Sequence, residues 1–121
     1  MILLVEDDAI ARLTFAKELR GHGYDVLEAS DGAEAIASLT EHCDSIKLVV
    51  TDMVLPLVSG LKLIHRIQTS WPKIPVILVS AYFSQTAGID ILPDVSVLEK
   101  PVRPSGLIAA VQRILGQQQL S

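Results

Sequence analysis

Along this chain, short unbroken apolar runs alternate with stretches whose apolar residues recur every three or four positions. Ile2-Leu3-Leu4-Val5 is the first run, and it stops at the acids Glu6, Asp7 and Asp8. That is the pattern of a strand buried on both faces that opens into a loop. From Ala9 to about Gly21 the apolar residues Ile10, Leu13, Ala16 and Leu19 recur at helical spacing, with Asp8 placed to cap the start and Gly21 and Gly23 placed to end it. Tyr24 to Ala29 is interrupted by Asp25 and Glu28, which predicts a strand that is less buried or lies at an edge. Asp31-Gly32-Ala33-Glu34 spaces two acids as a capping box does, and the helix it starts runs to about Glu41.

The alternation continues. Ile46 to Thr51 predicts a third strand that ends at Asp52, and Ser59 to about Ser70 a helix bearing Leu61, Leu63, Ile64 and Ile67, closed by Trp71-Pro72. Pro75 to Val79 makes a fourth strand ended by Ser80, and Val95 to Leu98 a fifth ended by Glu99-Lys100-Pro101. A last helix starts at about Pro104, a residue suited to the first helical position, and ends at Leu115 before Gly116. Between the last two strands, Gly88 and Pro93 leave room only for a short or distorted helix near residues 83–91. Strands and helices in this alternation predict βαβ units with right-handed crossovers, and so an α/β fold whose parallel sheet is covered on both faces. No repeat or linker divides the chain, and residues 1–121 are expected to form one domain.

Composition narrows the reading. Half of the residues are hydrophobic but only 4% are aromatic, so the core must be built of Val, Leu, Ile and Ala, as buried parallel strands require. A formal net charge of -4 argues against direct nucleic-acid binding, which needs clustered Lys and Arg. Cys43 is the one cysteine, without partners at metal-ligand spacing, and reads as an ordinary semi-buried residue. No apolar run approaches the roughly 18 to 20 residues of a membrane span. Residues 1 to 5 lead straight into acids without the basic start of a signal peptide. A cytoplasmic protein with no membrane contact is therefore expected.

The polar residues that end the strands carry the chemistry. In open parallel sheets the binding site lies beyond the carboxyl ends of the strands, where strand order reverses. Here four apolar runs end in Glu6-Asp7, Asp52, Ser80 and Lys100. With strand order 2-1-3-4-5, Asp52 is central, the acids lie on one side and Ser80 and Lys100 on the other. Three converging carboxylates must raise a pKa or hold a cation, and an all-oxygen site suits Mg²⁺. The metal can also bind an incoming phosphoryl oxygen, with Lys100 opposing the remaining charge and Ser80 donating a hydrogen bond. Asp52 is then the nucleophile that forms an acyl phosphate. Singly, each residue has an ordinary explanation: a helix cap for Asp7 or Asp8, a solvated charge for Lys100, a local backbone bond for Ser80. Their joint placement does not.

At these residues the sequence resembles the receiver domains of bacterial two-component signalling over essentially its whole length. The motifs are I-L-L-V-E-D-D at 2–8, D-M-V-L-P-L-V-S-G at 52–60, V-I-L-V-S-A at 76–81 and L-E-K-P at 98–101. The resemblance implies a flavodoxin-like, doubly wound sheet of five parallel strands in the order 2-1-3-4-5. It implies a protein that catalyses only its own phosphorylation and slow dephosphorylation. The phosphoacceptor is then Asp52, the metal ligands of Mg²⁺ are Glu6, Asp7, Asp52 and the backbone carbonyl of Val54, and Ser80 and Lys100 meet the phosphoryl group. The Lys100-Pro101 bond is expected to be cis. The implied partners are a histidine kinase or histidine phosphotransfer protein and a downstream protein target.

Three features depart from the family pattern. Val97 stands where receivers often carry an aromatic switch residue, three positions before the lysine. The stretch from Ser80 to Lys100 is shorter than in chemotaxis-type receivers, and its proline-bearing form resembles receivers associated with hybrid histidine kinases. Val54 and Tyr82 occupy the two positions that tune attack by water, where apolar and aromatic groups are expected to prolong the phosphorylated state. The chain ends about five residues after its last helix, which suggests a stand-alone receiver or a piece of a longer regulator or hybrid kinase. A magnesium-dependent phosphatase with an Asp nucleophile is the enzymatic alternative. Such enzymes usually place a second acid two residues on, where this chain has Val54. A pseudo-receiver would be expected to lack Asp52, Asp7 or Lys100, and all three are present.

Overall fold

Successive side chains on a strand point to opposite faces of a sheet, and the first strand shows what this does here. Leu3 and Val5 pack on one side with Ala35, Leu39, Leu63, Ile64 and Ile67. Ile2 and Leu4 pack on the other with Ala16, Leu19, Leu107 and Val111. Both faces of the strand are thus core, which is why its sequence is unbroken apolar. The structure, a computed structural model, describes residues 1–81 and 94–120. Its elements are β1 Ile2–Val5, α1 Ala9–Gly21, β2 Val26–Ala29, α2 Gly32–His42, β3 Leu48–Asp52, α3 Gly60–Ser70, β4 Val76–Ser80, β5 Val95–Glu99 and α4 Pro104–Leu120. The strands form one parallel sheet in the order β2-β1-β3-β4-β5, as expected. Helices α2 and α3 cover one face, α1 and α4 the other. Tyr82 and the helix expected near residues 83–91, with Gly88 and Pro93, lie outside the described residues.

Local sequence accounts for most of the boundaries. Asp8 caps α1, its Oδ1 accepting the Ile10 and Ala11 N–H groups at 2.9 and 3.1 Å. Such a cap is worth about 1 kcal/mol. Asp31 caps α2 through the Glu34 N–H at 2.7 Å. Glu34, however, reaches one residue further back than a standard capping box, accepting the Ser30 hydroxyl at 2.7 Å and the Ser30 N–H at 3.4 Å.

Other details correct the sequence reading. β2 begins at Val26 and is an edge strand with only Ala29 fully buried. β3 begins at Leu48, opposite Ile2; Ile46 is buried, but its N–H is spent on the His42 carbonyl that closes α2. α4 runs through Gly116 to Leu120, because glycine ends a helix only where it turns left-handed, and glutamines 117–119 are good helix formers. The expected apolar face of α1 holds only in part: Ala16 and Leu19 are buried, whereas Ile10 and Leu13 are exposed. A strict three-residue spacing drifts about 60° around the helix at each step, so Ile10 and Leu19 lie on opposite sides. Leu61 at the start of α3 is likewise exposed. Cys43 is half-buried and free.

Candidate functional site

The parallel strands end at the same edge of the sheet, and Glu6, Asp7, Asp52, Val79 and Lys100, at or beside the ends of β1, β3, β4 and β5, line one cleft of about 820 Å³ between α1, the start of α4 and the loop after β3. Asp52 ends the central strand and is only 7% exposed. Its Oδ2 accepts a hydrogen bond from Lys100 Nζ at 2.7 Å, and its Oδ1 accepts the Val54 N–H at 3.4 Å. Lys100 is held by its own backbone, whose N–H donates to the Ser80 carbonyl at 2.7 Å, and the Lys100-Pro101 bond is cis as expected. Burial pulls the Lys100 ammonium down, but the Asp52 carboxylate outweighs it and, helped by Glu6 and Asp7, raises it above its usual value.

The acids close the other side. The Glu6 N–H adds a rung to the β1–β2 ladder by donating to the Ala29 carbonyl at 3.0 Å, which aims the side chain along the strand end. One carboxylate oxygen from each of Glu6, Asp7 and Asp52 lies within 4.8 Å of the others. Burial is the main force that raises the Glu6 carboxyl to about 7; its hydrogen bond with Asp7 and the charge of Asp52 add to it, while the Asp8 N–H and Lys100 oppose. Three hard oxygen donors this close together are the donor set a small divalent cation such as Mg²⁺ takes.

The remaining expected site residues fall nearby. Val54 sits on the cleft lip, 70% exposed. Ser80 ends β4 fully buried, and its hydroxyl donates to the Met53 sulfur at 3.5 Å. The loop is shaped by close backbone approach. A Cβ on Gly60 would lie 2.4 Å from the Asp52 carbonyl oxygen, and one on Gly32 would lie 2.4 Å from that of Val58. Only glycine lets α3 fold over the acceptor strand and the loop rest on the start of α2. Leu57, exposed at the crest, has a φ of 69°, a left-handed conformation unusual for its type.

The model of the response regulator receiver domain matches residues 2–112. The chain belongs to that family. This receiver is 31% identical over 97% of its length to the sensor kinase CckA of Brucella abortus, of which it covers 13%. Among solved structures it is similar to a receiver domain from Clostridium thermocellum, with a TM-score of 0.88 and 28% identity over 98% of this chain and 96% of the other. It is also similar to the receiver domain of the hybrid histidine kinase CckA, with a TM-score of 0.82 and 32% identity over 94% and 97%. The receiver spans 13% to about half of the length of several curated relatives it matches. No described helix is long and apolar enough to cross a membrane.

Two residues of the site were not legible in the sequence. Met53 takes the Ser80 hydroxyl, and the apolar strand pattern gave no sign of that role. Arg12, on α1, donates from Nη1 to the Glu6 carbonyl at 2.9 Å and from Nε to Glu28 at 3.3 Å. The isolated Glu28 within β2 was the available signal, since a half-buried acid among apolar strand residues favours a cationic partner.

Proposed function

We propose that this receiver accepts a phosphoryl group on Asp52 from a histidine kinase or histidine phosphotransfer protein. Mg²⁺ would be held by Glu6, Asp7, Asp52 and the Val54 backbone carbonyl. The observation that carries the reading is the pairing of Lys100 with Asp52 at 2.7 Å beside carboxylates of Glu6 and Asp7, all at the end of one central strand. The divalent cation supplies positive charge to the phosphoryl oxygens and to the acids. An Asp52 oxygen attacks phosphorus in line, the P–N bond of the phosphohistidine breaks, and its electron pair stays on the imidazole nitrogen. Lys100 moves its hydrogen bond from Asp52 to a phosphoryl oxygen, so its charge is never left alone. The Ser80 hydroxyl turns from Met53 to donate to another.

The output is a changed protein–protein surface read by a downstream target, without direct nucleic-acid or membrane contact, in the cytoplasm. The chain works as one receiver domain and not as an enzyme on a separate substrate. Its kinship to the CckA receiver supports a place in a phosphorelay. Incubation with acetyl phosphate and Mg²⁺, followed by intact-protein mass spectrometry, is expected to show one added phosphoryl group, and none in Asp52→Asn. Addition persisting in that variant would assign the acceptor elsewhere.

A further inference from the structure

We infer that Arg12 is a positioning residue for the metal-binding acids, acting through the backbone of Glu6 and oriented by Glu28. The inference rests on the reading of Glu6 and Asp7 as ligands. The Glu6 peptide lies one residue past the end of β1, where the regular ladder stops. Its N–H is bonded to the Ala29 carbonyl of β2, and its carbonyl takes Arg12 Nη1 at 2.9 Å. The two bonds hold the successive peptide units on either side of Glu6, the segment from which both acids project.

The guanidinium is itself held. Its Nε pairs with Glu28 Oε1 at 3.3 Å, with the Arg12 side chain 19% exposed, and Arg20 Nη1 binds the second Glu28 oxygen at 3.1 Å. Arg12 thus ties the acid-bearing turn to both α1 and the edge strand, using the rigid fork that a lysine lacks. Without it the Glu6 carbonyl loses a charged donor, and the turn that carries Glu6 and Asp7 loses the restraint that keeps both carboxyl groups beside Asp52. Groups that orient metal ligands from behind typically alter affinity about 10- to 100-fold when removed.

The test is calorimetric titration of the whole chain with Mg²⁺, paired with thermal unfolding. Arg12→Ala is expected to weaken Mg²⁺ binding about tenfold, and Arg12→Lys, which keeps charge but not the fork, to fall between it and the wild type. Ile67→Val, a core change under α3, serves as the control for lost stability alone, and its Mg²⁺ affinity is expected to match the wild type. An Arg12→Ala affinity within twofold of wild type would overturn the inference while leaving the proposed function intact. So would an equal weakening in the Ile67→Val control. A wild-type chain that fails to bind Mg²⁺ or to take up phosphate would remove both.

Discussion

On one side of Asp52 stand Glu6 and Asp7, and on the other Ser80 and Val97, and the two sides are built of different materials. The acid side is charged and fastened at several points: Glu6 at its N–H and carbonyl, Asp52 at both oxygens. On the side of β4 and β5, Ser80 donates to a thioether, a weak acceptor, and Val97 is half-buried where many receivers place an aromatic ring. On the proposed function, capture of the phosphoryl group would rely on groups already in place. Its read-out would rely on a buried hydroxyl that donates to the Met53 sulfur.

The largest way to break this contrast is to remove the cation that reaches Asp52 from the end of β5. Lys100→Ala leaves Asp52 without its 2.7 Å partner and is expected to slow uptake of phosphate from acetyl phosphate about a hundredfold, measured by quenched mass spectrometry. A loss of twofold or less would mean that the pair serves the fold and not the transfer.

Acidity tests the acids themselves. Glu6 is raised from 4.5 to about 7 in the folded chain. Between those values the folded state holds a proton that the unfolded chain has released, so without metal its contribution to stability declines as pH rises through the window. A bound divalent cation reverses this by favouring the ionised form. Mg²⁺ is expected to bind about tenfold more weakly near pH 6 than near pH 8, with a smaller rise in melting temperature. Equal shifts at both pH values would take Glu6 out of the ligand set.

The smallest effect belongs to the read-out side. Met53→Leu keeps the volume but removes the sulfur, so the Ser80 hydroxyl has less to leave behind when it turns to a phosphoryl oxygen. Mg²⁺ affinity is expected to stay unchanged while the phosphorylated state lasts about twofold longer, the return on a weak hydrogen bond of about 0.5 kcal/mol. A changed Mg²⁺ affinity would show that the two sides are not separable in this way.

The same contrast marks what could be read from the chain in advance. Strand order, the cleft and the convergence of Glu6, Asp7, Asp52 and Lys100 were legible because buried parallel strands announce themselves as apolar runs, and whatever ends a run lies at the site. The exposure of Ile10 and Leu13 was hidden by a spacing that looks helical over one turn and walks around the helix over three. The continuation of α4 through Gly116 was hidden because a glycine is permissive and not obligatory as a stop. Arg12 and Met53 escaped because their partners, Glu6, Glu28 and Ser80, are brought to them only by the closed sheet.

Asp52 and Met53 are consecutive, yet the first lines the cleft on the α1–α4 side with Leu4 and Val50, and the second belongs to the core beneath α2 and α3. One peptide unit therefore joins the two halves of the molecule like the pivot of a balance. Were Asp52 to take up a phosphoryl group as proposed, a tilt of that unit would reach the packing under both helical layers directly.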